Sequence, residues 1–495
     1  MLAMNRILKW SSVGLISLAA CLLPVASPES RAQLSEEELR RERLETVEEL
    51  RRTETEWEKY IRSRGWSVSY GGWLSSSFGS SDNDDRNRSV QDSLDHTWDQ
   101  EFRWFYSGRS GTGRTRWYAR FGTNYTFSSA IIPSIRHSDW VQPGIDMIYM
   151  ERDFKSARRK HTLTVGRQFV QVENSIALAQ VADGLKYDLR TARQTFEVFL
   201  LRQQSGDNNV DFLAPRAGRT RRWFTGLQYT ASYLPTQSVN FFWVWNNDGN
   251  SESPDAAGQR HQLDSRYLGL TLSGRFFSKL KYDLQYIQEF GTTYSGSNAT
   301  NASNTAPSAK IKVDANAFTG GLKYYFGGIL SMVAHSTYYS GSGDPDAIDA
   351  FTSTGGSGSL DGSGTGGRDK RFMAFGGKSL GYALAPTLTN LSVIKNGFSL
   401  KPFGWSENRF WEDLSVHPQV FFYRRNEPTG KTSDPYINIG AGASAKVGHE
   451  VDLDISWRLM SDVKYNLKWG KFFPGSAYPT RSAESILRFR ISVDL

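Results

Sequence analysis

An all-β fold, a transmembrane antiparallel β-barrel of about 18 strands preceded by a short helix, is predicted by three features of the sequence. Apolar and polar residues alternate from Trp66 onward, long and short links take turns between the alternating segments, and helix-forming composition is confined to the stretch ahead of the first segment. The alternation is plainest at the end of the chain, where Leu487, Phe489, Ile491, Val493 and Leu495 share one parity and Arg488, Arg490, Ser492 and Asp494 the other. That is a strand between an apolar and a wet surface. A long succession of such strands satisfies its backbone in lipid only when the sheet closes on itself.

Residues 1–32 read as a secretory signal peptide. Arg6 and Lys9 precede an apolar stretch from Val13 to Val25, and Ser30-Arg31-Ala32 supplies a small-x-small cleavage site before Gln33. The stretch is too short for a spanning helix. Cys21, the single cysteine, ends Leu18-Ala19-Ala20-Cys21, a lipid-attachment pattern, but Leu22-Leu23-Pro24-Val25 continues the apolar region where a lipoprotein turns polar. The folded part therefore carries no disulfide.

Residues 33–62 are a different material, rich in Glu, Arg and Leu and free of Gly and Pro. Leu50, Trp57 and Ile61 lie on one helical stripe, whereas Leu34, Leu39 and Leu44 are spaced by fives, so the heptad seam is weak. The expectation is a periplasmic helix or short coiled coil, with residues 34–62 open to a periplasmic partner or to self-association.

Residues 63–495 form the barrel. Trp66, Val68, Tyr70, Leu74 and Phe78 oppose Ser67, Ser69, Ser75 and Ser77, and later segments repeat the pattern, as in Tyr282, Leu284 and Tyr286 against Lys281, Asp283 and Gln285. Strands are expected near 66–79, 96–108, 114–126, 144–155, 160–171, 184–191, 194–204, 220–232, 237–247, 264–275, 279–290, 315–326, 329–340, 387–404, 416–425, 437–459, 463–472 and 484–495. Alternation alone also fits a soluble sandwich. The links favour the barrel, because long ones such as Gly291 to Val313 and the Gly/Ser-rich run from Gly341 to Lys378 alternate with short ones such as Leu234-Pro235-Thr236.

Composition agrees: 13% aromatic, 45 glycines and only 22% charged suit strands and turns. Negative mean hydropathy excludes a bundle of membrane helices but not a barrel, whose strands need apolar residues only at alternate positions. The net charge of +8 belongs mainly to the barrel, since residues 33–62 hold ten acidic against seven basic side chains. Positive charge facing a lumen favours anions.

Several short motifs carry a resemblance. Leu163-Thr164-Val165-Gly166-Arg167-Gln168 is followed by Ala182-Asp183-Gly184-Leu185, and further on stand Leu388-Thr389-Asn390-Leu391, Val447-Gly448-His449-Glu450-Val451-Asp452 and Phe473-Pro474-Gly475. In these the chain resembles the alginate-export family of outer-membrane barrels over most of residues 66–495. The resemblance implies an 18-stranded barrel in the bacterial outer membrane whose basic lumen conducts an anionic polysaccharide or smaller solutes. The helix at 34–62 and the terminal Leu495, where many barrels end in Phe, depart from the pattern.

No catalytic constellation is evident. The seven histidines are scattered, Gly-x-Ser-x-Gly does not occur, and no His/Asp/Glu cluster has metal-ligand spacing, so no catalytic, cofactor-binding or metal-ligating residue is expected. His96 or His161 beside a serine leaves a lipase-like reading open. Basic residues in an exported chain without an aromatic platform argue against nucleic acid.

What remains is electrostatic selection in a pore. Strand parity gives Arg103, Arg116, Arg120, Lys186, Arg190, Lys281, Arg458, Arg488 and Arg490 as pore-lining candidates, with Asp99, Asp188, Asp283, Asp452 and Asp454 as counter-charges. Arg167 shares the parity of lipid-facing Leu163 and Val165, and a bulge at Gly166 is expected to turn it inward. For any one of these residues a cross-strand ion pair is commoner than contact with a solute. The expectation is a passive porin, seated in outer-membrane lipid, for anionic solutes or acidic poly- or oligosaccharides, with residues 341–378 as an external loop or lumen plug. The alternative is a structural anchor with a plugged barrel.

Overall fold

The computed structural model describes residue 63 and residues 65–83, 95–129, 136–156, 158–203, 222–249, 262–277, 279–294, 310–327, 331–345, 368–406, 408–434 and 436–495. The expected signal peptide and the helix of residues 33–62 lie outside the described residues.

The strands are β1 (Trp66–Asp82), β2 (Asp95–Ser110), β3 (Thr115–Ser129), β4 (Arg136–Ser156), β5 (Arg159–Gln171), β6 (Ala179–Arg190), β7 (Gln194–Gln203), β8 (Arg222–Leu234), β9 (Gln237–Asp248) and β10 (Asp264–Phe276). They continue with β11 (Leu280–Tyr294), β12 (Lys310–Gly327), β13 (Met332–Gly341), the two-residue β14 (Arg368–Asp369), β15 (Leu391–Ser399), β16 (Ser415–Arg424), β17 (Lys446–Arg458), β18 (Val463–Pro474) and β19 (Glu484–Asp494). Each long strand pairs antiparallel with the next, β13 pairs with β15, and β19 returns to β1. The result is a closed 18-stranded antiparallel barrel. At the seam Trp73 stands opposite Asp494, the Leu495 amide donates to the Gly72 carbonyl at 2.8 Å, and the Gly72 amide donates to the Leu495 carbonyl at 3.2 Å. Among the described residues no long strand edge is left to pair with another chain.

The period of two sets the faces. Leu74, Phe78, Trp98, Phe102, Leu163, Val165, Leu268, Leu270, Leu284 and Tyr286 are exposed on the outside. So much continuous exposed apolar surface is stable in lipid rather than in water. The opposite parity points inward.

The short turns, among them residues 111–114, 191–193 and 235–236, lie at one end of the barrel together with Trp66 and Leu495, and the long links lie at the other. One connection at the short-turn end is longer, residues 400–414, and contains the single-turn α1 (Arg409–Glu412), capped by the Asn408 side chain. The expected strand near 437–459 begins only at Lys446: Gly440 and Gly442 take φ of +87° and +82°, which ends extended pairing, and residues 425–445 form a rim instead.

Two links fold into the barrel. Residues 172–178 and 371–376 anneal to each other, with the Phe375 amide donating to Ala177 at 3.1 Å and the Gly376 amide to Ile176 at 3.2 Å. Ile176, Ala177, Leu178 and Phe372 then pack on Phe199, Phe224, Phe242 and Tyr267 from the wall. Farther along the same insert, Leu380 and Leu384 pack on Val393, Phe421, Tyr423 and Phe472. The described end of the insert and the residues that follow it, 371–384, thus link the wall of β7 to β12 with the wall of β15 to β18.

Candidate functional site

The lumen is the site, and its chemistry divides into two arcs. From β2 to β7 the inward cations Arg103, Arg116, Arg120, Lys160 and Lys186 are ion-paired, whereas Arg109 and Arg190, next to the short turns, form no ion pair among the described residues. Arg103 contacts Glu101 and lies 2.7 Å from Asp146, which also accepts Arg120 Nε at 2.7 Å. Asp146 can serve both because the β3/β4 register shifts between Arg120 and Phe121, a bulge that turns it inward. Arg116 pairs with Glu151 at 2.7 Å, and Lys186 lies 3.6 Å from both Asp188 and Glu197. Arg190, at the short-turn end of β6, stands opposite Lys160 in the ladder.

The other arc is less neutralised. Lys281 and Lys323 stand directly opposite each other on β11 and β12, and Lys323 is followed across the ladder by His335. Lys378 projects from the insert near Asp283 and Lys323, and Lys395 of β15 interacts with Lys323, Lys378 and Asp452. Around the barrel Arg458 faces Lys464, Lys468 faces Arg488, and Asn466 faces Arg490. Among the described residues no carboxylate forms an ion pair with Lys281, Lys323, Lys378, Lys395, Arg458, Lys464, Lys468, Arg488 or Arg490. Adjacent like charges with no such pair repel one another and favour any anion that enters between them.

Arg167 corrects the sequence expectation. The β4/β5 and β5/β6 ladders run through Gly166 with no register shift, so Arg167 stays on the outer face. Gly166 has φ +125°, yet that freedom is absorbed without inserting a residue. A Cβ there would meet the Ile148 carbonyl oxygen at 2.3 Å, so the glycine permits close approach of β4 rather than a bulge. Arg167 is bound instead to Asp183, its ladder partner, at 2.7 and 3.1 Å.

The counter-charges do varied work. Asp188 lies near Lys186, whereas Asp99 makes no ion pair among the described residues. Asp454 accepts the Tyr382 hydroxyl at 3.1 Å and the Asn466 amide at 2.6 Å. Asp452 is buried, and neither of its carboxylate oxygens has a hydrogen-bond partner among the described residues.

Sequence reasoning missed the groups that hold the insert. Glu289 accepts the Met373 amide at 2.8 Å, while the Tyr267 hydroxyl donates to the Met373 carbonyl at 2.8 Å. Glu450 accepts the amides of Tyr382, Ala383 and Leu384 at 2.6, 2.7 and 3.1 Å and the Tyr423 hydroxyl at 3.0 Å. Arg222, buried with Asp248 at 2.9 Å, has its guanidinium 4.8 Å from the centre of the Phe375 ring. Parity marks Glu289 and Glu450 as inward, but nothing local in the sequence names their partners in a distant link. Glu173, in the inward link 172–178, has its amide bound by Gln228 at 3.2 Å. Burial pushes its carboxyl up to about 7, and the charge of Asp283 adds to the effect. No His/Cys/Asp/Glu group able to hold a metal ion occurs among the described residues.

Comparison with known proteins bears on this barrel in two ways. Among solved structures it is similar to Pseudomonas aeruginosa OccK5 (OpdH), with TM-score 0.52, 10% identity and coverage of 86% of this chain and 98% of that one. The structure of Pseudomonas aeruginosa OpdK with vanillate gives the same four figures. Pseudomonas aeruginosa OpdL is similar with TM-score 0.50 at 13% identity, again over 86% and 98% of the two chains. At such identity the likeness concerns the fold. No curated protein matches the chain. The profile of the family described as Alginate export matches residues 68–489. With its apolar outer belt, closed 18-stranded wall and charged lumen, the chain belongs to the alginate-export family of outer-membrane barrels and is an outer-membrane channel.

Proposed function

We propose that the channel passes anionic solutes, including acidic oligo- or polysaccharides, between the cell exterior and the periplasm, with the short-turn end, where Trp66 and Leu495 lie, on the periplasmic side. The observation that carries this reading is the set of luminal cations without ion-pair partners among the described residues, Lys281, Lys323, Lys378 and Lys395 in one group and Arg458, Lys464, Lys468, Arg488 and Arg490 in another. Each lowers the energy of an anion that has shed part of its hydration, and Asp283, Asp452 and Asp454 stop it from staying bound. A sugar chain with one carboxylate per residue would engage several of these cations in turn. The paired arginines of β2 and β3 contribute less, because Asp146, Glu101 and Glu151 already neutralise them.

The test is single-channel recording in a planar bilayer under a salt gradient, with acidic oligosaccharides added on one side. Anion-selective current blocked by those sugars supports the proposal, and cation-selective or unselective current overturns it. A second reading, a structural anchor with a plugged barrel, draws support from the insert's two apolar contacts with the wall. Absence of current from folded barrels would select it.

A further inference from the structure

Three arginines interrupt the apolar outer surface near the long-link end of β5 to β10. Arg167 shares its parity with exposed Leu163 and Val165, Arg202 with Val198 and Leu200, and Arg266 with Leu268 and Leu270. The ladder sets them in one band: Arg167 opposite Asp183, Asp183 opposite Arg202, Arg202 opposite Trp223, and Arg266 opposite Trp245. Asp183 grips Arg167, whose remaining edge donates to the Ile145 carbonyl at 2.9 Å. The guanidinium of Arg202 lies 5.9 Å from the Trp223 ring centre, and that of Arg266 lies 5.2 Å from the Trp245 ring centre. No carboxylate pairs with Arg202 or Arg266 among the described residues. Farther round, Lys312 shares the outer face of β12 with Asp314, which pairs with Arg368 at 3.2 Å.

Charged heads in the hydrocarbon are costly, whereas indole rings with adjacent cations suit the headgroup level. Guanidinium groups held over rings keep their N–H edges available, and planar forks match phosphate oxygens. Arg202 and Arg266 are separated by three inter-strand spacings and a stagger of two residues along the strands, about 16 Å. That is too far for one phosphate and suits two phosphates on one headgroup. We propose that this band binds the phosphates of a bisphosphorylated glycolipid in the outer leaflet, through Arg202 and Arg266, with Arg167 held beside them by Asp183. The inference rests on reading the long-link end as the cell exterior.

The full chain in detergent micelles is titrated with bisphosphorylated lipid A, the same lipid dephosphorylated, and inorganic phosphate. Bound lipid is counted by native mass spectrometry, and unfolding temperature and channel conductance are recorded alongside. The expected result is binding of the phosphorylated lipid alone, weakened at least tenfold in the double variant Arg202→Gln, Arg266→Gln, with unfolding temperature in detergent and conductance unchanged. Arg202→Lys with Arg266→Lys, which keeps charge and fold but loses the fork, should fall between. Equal binding of the dephosphorylated lipid, or binding unaltered in both double variants, overturns the proposal. Saturation by inorganic phosphate at similar concentration assigns the band to free phosphate and also overturns it. Conductance is read separately, so loss of lipid binding and failure of the channel reading are distinguishable.

Discussion

Glu289 and Glu450 stand on separate walls of one lumen and hold the same insert, Glu289 by the Met373 amide at 2.8 Å and Glu450 by the Tyr382 and Ala383 amides at 2.6 and 2.7 Å. Neither carboxylate faces the solute path as a free charge. They act as fixed acceptors for backbone donors that burial would otherwise leave unsatisfied. The position of residues 371–384 inside the barrel should therefore depend on these two side chains together with the apolar clusters in which the segment packs.

Glu450→Gln tests that dependence. One amide oxygen replaces two carboxylate oxygens, and its NH2 group faces amides that also donate, so the insert should lose about 2–4 kcal/mol of attachment. The expected readout is larger conductance with more frequent subconductance steps and an earlier thermal transition. A variant with wild-type conductance and noise would show that Glu450 does not control the aperture.

Charge reversal of the facing pair, Lys281→Glu with Lys323→Glu, should lower the anion-to-cation permeability ratio by about threefold or more, because selectivity in a narrow lumen follows the nearest fixed charges. Both side chains line the interior on strands whose outer faces stay unchanged, so the barrel should still fold. The reversal potential under a salt gradient measures the effect. An unchanged value would place selectivity elsewhere in the lumen.

If the lumen selects anions as proposed, Glu173 should make that selectivity depend on pH. Its carboxyl, raised to about 7 by burial and by Asp283, is neutral below that pH and negative above it. Anion preference should be greatest below about pH 7 and decline as pH rises through it, since the new negative charge adds to that of Asp283 inside the barrel. Reversal potentials recorded from pH 5 to 9, about two units either side of that value, trace the step. Glu173→Gln should flatten it, and a step that survives in that variant must come from another group.

Removing one member of the buried Arg222 and Asp248 pair should destabilise the barrel strongly. Asp248→Asn removes the carboxylate bound to the buried Arg222 guanidinium, a cost of up to about 3–5 kcal/mol. Since Arg222 also lies against Phe375, the insert should loosen in the same variant. The temperature at which the folded band is lost on unheated gels reports the first effect, and conductance noise the second. A variant as heat-resistant as the parent would mean that water or the Gln203 side chain, 3.3 Å from Arg222, suffices.

The sequence by itself determined the barrel. A period of two leaves one face apolar and one polar whatever the neighbours are, so the positions of Arg103, Lys281 and Arg490 on the inner face and of Leu74 and Phe489 on the outer face are local properties. Link lengths likewise distinguish the two ends over the first thirteen strands, and the alternating segments placed along the chain give the 18 strands that the barrel has. Tertiary structure decided what periodicity cannot encode. Whether an inward arginine is neutralised depends on register shifts such as the one that delivers Asp146 to Arg103 and Arg120. Arg167 went the other way: a positive-φ glycine permits a bulge, but continuous pairing with β4 and β6 fixed its face outward. The insert is the clearest case. Its Gly-rich approach carries no strand or helix signal, and its seat exists only where Glu289, Glu450 and two apolar clusters, distant in sequence, are brought together by closure of the sheet.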